Sequence, residues 1–162
     1  MQLTLPLLRS SVMRNQLPSF TFFAILLGLS SASLAAQEAV TYINPRTANE
    51  NGAPFSGAVL AGNTLYISGT LGLDANGEVP TTPDAEVRNV LNNIRDQLQA
   101  AGMTMDDLVS VQVYCSDVAY YDTFNEVYRT YFSAEFPARA FLGSGTLLRG
   151  ARFEVMGIAV DH

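Results

Sequence analysis

Two residues late in the sequence have the types and surroundings to do chemistry on a small anion. Arg139 closes the run Phe136-Pro137-Ala138-Arg139, and Glu154 follows inside Arg152-Phe153-Glu154-Val155-Met156-Gly157-Ile158-Ala159. A guanidinium presents a planar fork that matches a carboxylate through two parallel hydrogen bonds. A glutamate beside such a site can orient or deprotonate a water. The pair suggests one shared cavity that holds a small organic acid and hydrolyses a bond next to its carboxylate. Taken alone, an Arg and a Glu at this spacing fit a structural ion pair between strands better than a catalytic site. The elements around them must decide.

Composition removes most other mechanisms. The single histidine, His162, is the last residue, so a Ser-His-Asp triad or a Cys-His pair has no base. Clusters of imidazole or thiolate for a transition metal are missing too, and no metal is expected. All nine basic residues are arginine, which excludes a Schiff-base lysine and ordinary pyridoxal-phosphate chemistry. Gly143-Ser144-Gly145 lacks the spacing and ending of a phosphate loop. No cofactor is therefore expected. Carboxylates remain for acid-base work, arginine for anion binding and backbone amides for polarisation. The lone Cys115 is expected to be a buried, inert thiol.

Residues 1–36 read as an address rather than a fold. Arg9 and Arg14 precede the apolar run Phe20–Leu29, and small residues then offer a cleavage point after Ala35 or Ala36. The expectation is a cleavable signal peptide over 1–36, a single domain over 37–162, and a periplasmic or secreted location. Without Arg9 and Arg14, seven arginines face fifteen carboxylates, a net charge of −8. Such a surface repels nucleic acid and anionic membranes, so neither is expected as a partner once the signal is removed.

The elements that must position Arg139 and Glu154 are legible in outline. Ala58–Gly69 holds two apolar runs around Gly62-Asn63, a hairpin signal, and Asp74–Gly77 is a turn. Thr82-Pro83-Asp84 opens a helix over 83–101, with Val87, Val90, Leu91, Ile94 and Leu98 on one stripe. Leu108–Cys115 alternates as a strand, and Asp117–Ser133 reads as a second helix. Arg139–Leu142 and Arg152–Val160 read as two more strands. The order ββ-α-β-α-ββ predicts an α+β domain, a mixed sheet with both helices on one face.

These pieces, in this order, resemble the Rid family (reactive intermediate deaminases, also called L-PSP endoribonucleases or translation inhibitors). The matching segments are Ala53–Gly57, Tyr66–Gly69, Asn89–Ile94, Phe124–Tyr128, Phe136–Arg139 and Phe153–Val160. The resemblance implies a chorismate-mutase-like fold and a homotrimer with sites in clefts between subunits. It also implies cofactor-free hydrolysis of reactive 2-imino and 2-enamino acids to 2-oxo acids and ammonia. By the same resemblance, Arg139 clamps the substrate carboxylate and Glu154 positions the attacking water. Phe55, Ser68, Gly69, Asn125 and Phe141 fall on pocket-lining positions. Phe55 stands where the best-known deaminases have tyrosine, and Phe141 where many members have cysteine. The other reading that stays open is a trimeric periplasmic protein that binds small carboxylates without turnover.

Overall fold

The computed structural model describes residues 39–47 and 53–162. The expected leader over 1–36 lies outside the described residues. Six strands and two α-helices follow in chain order: β1 (Val40–Ile43), β2 (Ala58–Ala61), β3 (Thr64–Leu71), α1 (Pro83–Ala100), β4 (Leu108–Cys115), α2 (Tyr121–Tyr128), β5 (Ala138–Gly143) and β6 (Phe153–Val160). The strands form one sheet in the order β1-β2-β3-β6-β4-β5. Only β4 and β5 run parallel; every other neighbouring pair is antiparallel. The expected mixed sheet with both helices on one face is what the chain adopts.

Alternation along the strands decides which face is covered. In β6, Phe153, Val155, Gly157 and Ala159 are buried, while Glu154, Met156, Ile158 and Val160 are only partly covered. Successive strand residues point to opposite faces, so the first set meets the helices. Val87, Val90, Leu91, Ile94 and Leu98 of α1 and Phe124 of α2 complete this core, all at most 1% exposed. The other face carries no layer among the described residues. One cross-strand row there runs Tyr42, Val59, Tyr66, Ile158 and Ser110.

Glu86 is a buried carboxylate that the sequence reading did not single out. An acid in the first turn of α1, it is nevertheless fully buried. Its carboxylate accepts from the backbone N–H of Arg152 (2.6 Å) and of Phe153 (3.1 Å), and pairs with the Arg152 guanidinium at 2.7 Å. That guanidinium also donates to the Pro80 and Thr81 carbonyls. Glu86 raises the Arg152 guanidinium above its already high value. This cluster fastens the start of β6 to α1, two residues before Glu154. Asn93 adds a second tie by donating to the Leu71 carbonyl at 2.9 Å.

The second helix is shorter than the continuous Asp117–Ser133 span expected. Asp117 takes the Ala119 N–H and starts a 3-10 turn over Val118–Tyr120 before α2 begins. At the other end the Thr130 hydroxyl donates to the Val127 carbonyl, and the last turn tightens to 3-10 over Arg129–Tyr131. Side-chain bonds of this kind compete with the helical ladder. β1 is an additional strand that the sequence reading lacks. It is short, lies at the sheet edge and is mostly exposed, so it has no alternation to reveal it.

Candidate functional site

Arg139 sits on β5, the last strand of the sheet, opposite Val111 of β4. Val111 faces the core, so the Arg139 side chain also turns to the helix side. There Nη2 donates to Asn125 Oδ1 of α2 at 2.7 Å. The guanidinium lies over the Tyr128 ring, 4.6 Å from its centroid, with Phe124, Phe141 and Tyr121 between 5.7 and 6.0 Å. Arginine stacks on such ring faces through charge–quadrupole attraction. All its partners among the described residues are neutral. A cation held this way in partly desolvated surroundings favours an anion from solution.

The space beside it is a cavity of about 250 Å³ lined by Asn125, Tyr128, Arg129, Phe136, Pro137 and Arg139. The Tyr128 hydroxyl is buried and has no hydrogen-bond partner among the described residues. Burial pushes its pKa up to about 12, with Arg139 pulling against that rise. The hydroxyl therefore stays protonated, a donor, across the physiological range. Phe141 packs edge-on against Tyr121 and Phe124 and walls the ring cluster rather than lining the cavity.

Glu154 lies on the other face. It stands opposite Leu71 of β3 and Tyr114 of β4, between the buried Phe153 and Val155. Its carboxylate crosses Gly69 so closely that a Cβ there would collide with Oε1. A side chain at 69 would push the Glu154 carboxylate from this position, which lies at an irregularity in β3 between Ile67 and Thr70. Ser68 donates through Oγ to the Ser56 carbonyl (2.8 Å) and through its backbone N–H to the Gly57 carbonyl (3.0 Å). These bonds hold the 53–57 loop, which presents Phe55 at 53% exposure.

The expected residues therefore form two groups. Arg139, Asn125 and Phe141 cluster on the helix side of the sheet edge. Glu154, Gly69 and Ser68, with the loop that carries Phe55, gather around β3 and β6. Within one chain Arg139 and Glu154 do not open into the same cavity, contrary to the sequence expectation. β4 separates their strands, and they lie three residues apart in register along it. By ordinary sheet spacing that is roughly 10 Å across and 10 Å along, on opposite faces. They do not form an ion pair with each other either, so the structural ion-pair reading fails within one chain. Cys115 is buried as expected, its thiol donating to the Asp117 carbonyl and pushed up in pKa by burial.

Known proteins share this architecture. The profile of the family described as endoribonuclease L-PSP matches residues 46–161. The 2-iminobutanoate/2-iminopropanoate deaminase of Bos taurus is 42% identical over 110 residues, 67% of this chain and 80% of that protein. The Homo sapiens protein of the same name is 37% identical over the same shares. Among solved structures, RidA from an Antarctic Psychrobacter superposes with a TM-score of 0.65 at 31% identity, covering 78% of this chain and 99% of that one. E. coli TdcF with bound serine gives 0.69 at 26% identity, over 75% and 99%. Fold, matched length and relatives agree: the chain belongs to the Rid family, the family of the L-PSP endoribonuclease profile.

Proposed function

We propose that the chain is an imine and enamine deaminase that hydrolyses reactive 2-imino and 2-enamino acids to 2-oxo acids and ammonia. It does so without a cofactor, at sites completed between the copies of a homotrimer. The carrying observation is the division of the site. A guanidinium with only neutral partners among the described residues lies on one face of the sheet, and a carboxylate crossing Gly69 lies on the other. A second copy can bring Glu154 to Arg139 where one chain cannot. Relatives named 2-iminobutanoate/2-iminopropanoate deaminase support the reaction class.

The chemistry follows from the two groups. Arg139 keeps N–H donors beyond the one given to Asn125 and holds the substrate carboxylate. An enamine first takes a proton at its β-carbon and becomes the imine. Glu154 then draws a proton from water as the water oxygen bonds to the imine carbon. The nitrogen gains a proton, and the resulting carbinolamine collapses. The C–N bond breaks, ammonia leaves and the C=O of the 2-oxo acid forms. β5 borders the sheet, so the Phe141 carbonyl lies on a strand with one unpaired edge, where it can accept from the iminium N–H. Fixing acid and water together can remove several kcal/mol of barrier, up to about 7–11 in the best cases.

Subunit mixing tests both the chemistry and the sharing. With freshly generated 2-iminobutanoate, Arg139→Ala lowers kcat/KM roughly a hundredfold or more. Glu154→Gln lowers kcat by about 10²–10⁴. Each variant alone is close to inactive. Refolded together in equal amounts, they regain activity at roughly a quarter of their sites by random association. No regain means that both groups act from one copy, and equal rates in wild type and Arg139→Ala end the deaminase reading. Ligand binding without ammonia release would favour the carboxylate-binding alternative. The apolar run behind Arg9 and Arg14 supports export, so the proposed site of action is the periplasm or the medium.

A further inference from the structure

The cavity beside Arg139 contains more positive charge than one carboxylate needs. Two of its six lining residues, Arg129 and Arg139, carry guanidinium groups, and none is acidic. Arg129 is exposed and enters no ion pair or side-chain hydrogen bond among the described residues. Fifteen carboxylates against nine arginines make the chain acidic, so this is a local reversal of sign. Closely spaced like charges repel, and a bound anion relieves that repulsion. Tyr128 lines the same cavity; it is 96% buried and its hydroxyl has no partner among the described residues. An orphaned buried hydroxyl in a cavity wall costs stability unless a ligand or water completes it.

We propose that this cavity selects dianionic substrates, the imines and enamines of 2-oxo dicarboxylic acids. Arg139 takes the carboxylate next to the imine carbon, Tyr128 donates to the same end, and Arg129 takes the distal carboxylate. The inference rests on the deaminase reading for its reaction and on the cavity alone for its selectivity. The size agrees: about 250 Å³ lies just under the roughly 300–1,000 Å³ typical of pockets for larger ligands. Phe136 and Pro137 add apolar wall against which a short carbon chain can pack. The reaction is otherwise unchanged: water adds to the imine carbon, ammonia leaves, and a 2-oxo dicarboxylate is released.

Calorimetric titration of the purified chain tests this with two stable product analogues of equal length. These are 2-oxopentanoate, with one carboxylate, and 2-oxopentanedioate, with two. The dicarboxylate is expected to bind on the order of tenfold more tightly, the worth of one exposed charge-assisted contact. Arg129→Gln, with unchanged circular dichroism, should bring that ratio near one. Tyr128→Phe should weaken both ligands and leave the ratio in place. Equal affinities in the wild type, a ratio that survives Arg129→Gln, or binding of neither acid overturns the proposal. If 2-iminobutanoate is still turned over through Arg139 while the ratio is one, only the dianion selectivity falls. If Arg139→Ala leaves turnover intact, the deaminase reading falls instead.

Discussion

Tyr128 shows how one side chain can link binding to stability. Its ring supports the Arg139 guanidinium from 4.6 Å, while its hydroxyl has no partner among the described residues. Removing an unsatisfied buried group is neutral or favourable for the free protein, by up to about 1–3 kcal/mol. Tyr128→Phe is therefore expected to hold or raise the urea midpoint of the ligand-free chain, even as ligand affinity falls. A loss of more than about 1 kcal/mol would mean that the hydroxyl is already satisfied, for instance by buried water. The pKa near 12 gives a second readout. The unfolded phenol loses its proton near pH 10, but the folded one keeps it longer. The contribution is thus complete below about pH 10 and is lost as pH rises toward 12. Tyr128→Phe should flatten that alkaline loss.

At the level of elements, the Glu86–Arg152 cluster decides where β6 starts and hence where Glu154 stands. Glu86→Ala leaves a partly buried guanidinium and two backbone N–H groups without their acceptor. Breaking such a pair from one side costs about 3–5 kcal/mol. Urea unfolding should show a loss of that size, and a loss below about 1 kcal/mol would mean that water replaces the carboxylate readily. The cluster was hard to find in the sequence because acids near a helix start are common. The one signal was position, since Glu86 lies four residues before Val90 and continues the apolar stripe. α1 and β4 were legible almost to the residue because their periodicities are strong. Arg139 and Glu154, the proposed site residues, stand out by type, and the face of Glu154 follows from its place between Phe153 and Val155. The face of Arg139 does not follow in this way, because it depends on the register of β5 against Val111. Register is set by long-range pairing, and a slip of one residue reverses every side chain. A shared cavity could therefore be expected from the sequence while the chain divides it.

For the whole molecule, the uncovered sheet face matters most. Tyr42 and Tyr66, each more than half exposed, lie in one row there with Val59 and Ile158, and Met156 is close by on the same face. Such an apolar surface fits an interface between copies. Native mass spectrometry of protein recovered from periplasm or medium should give three copies of a chain that starts near Gln37. A monomer would sink the shared site, and a chain retaining its leader would sink export. Strand order adds a consequence for how the chain matures. β6 is the last strand in sequence, yet it lies between β3 and β4 near the middle of the sheet. While the ribosome still holds residues 153–160, β3 and β4 have no strand between them to pair with, and Glu86 has no backbone to grip. The sheet therefore cannot close before β6 has been made, and under the export proposed above the nascent polypeptide would stay slack enough until then to be threaded through a translocation pore.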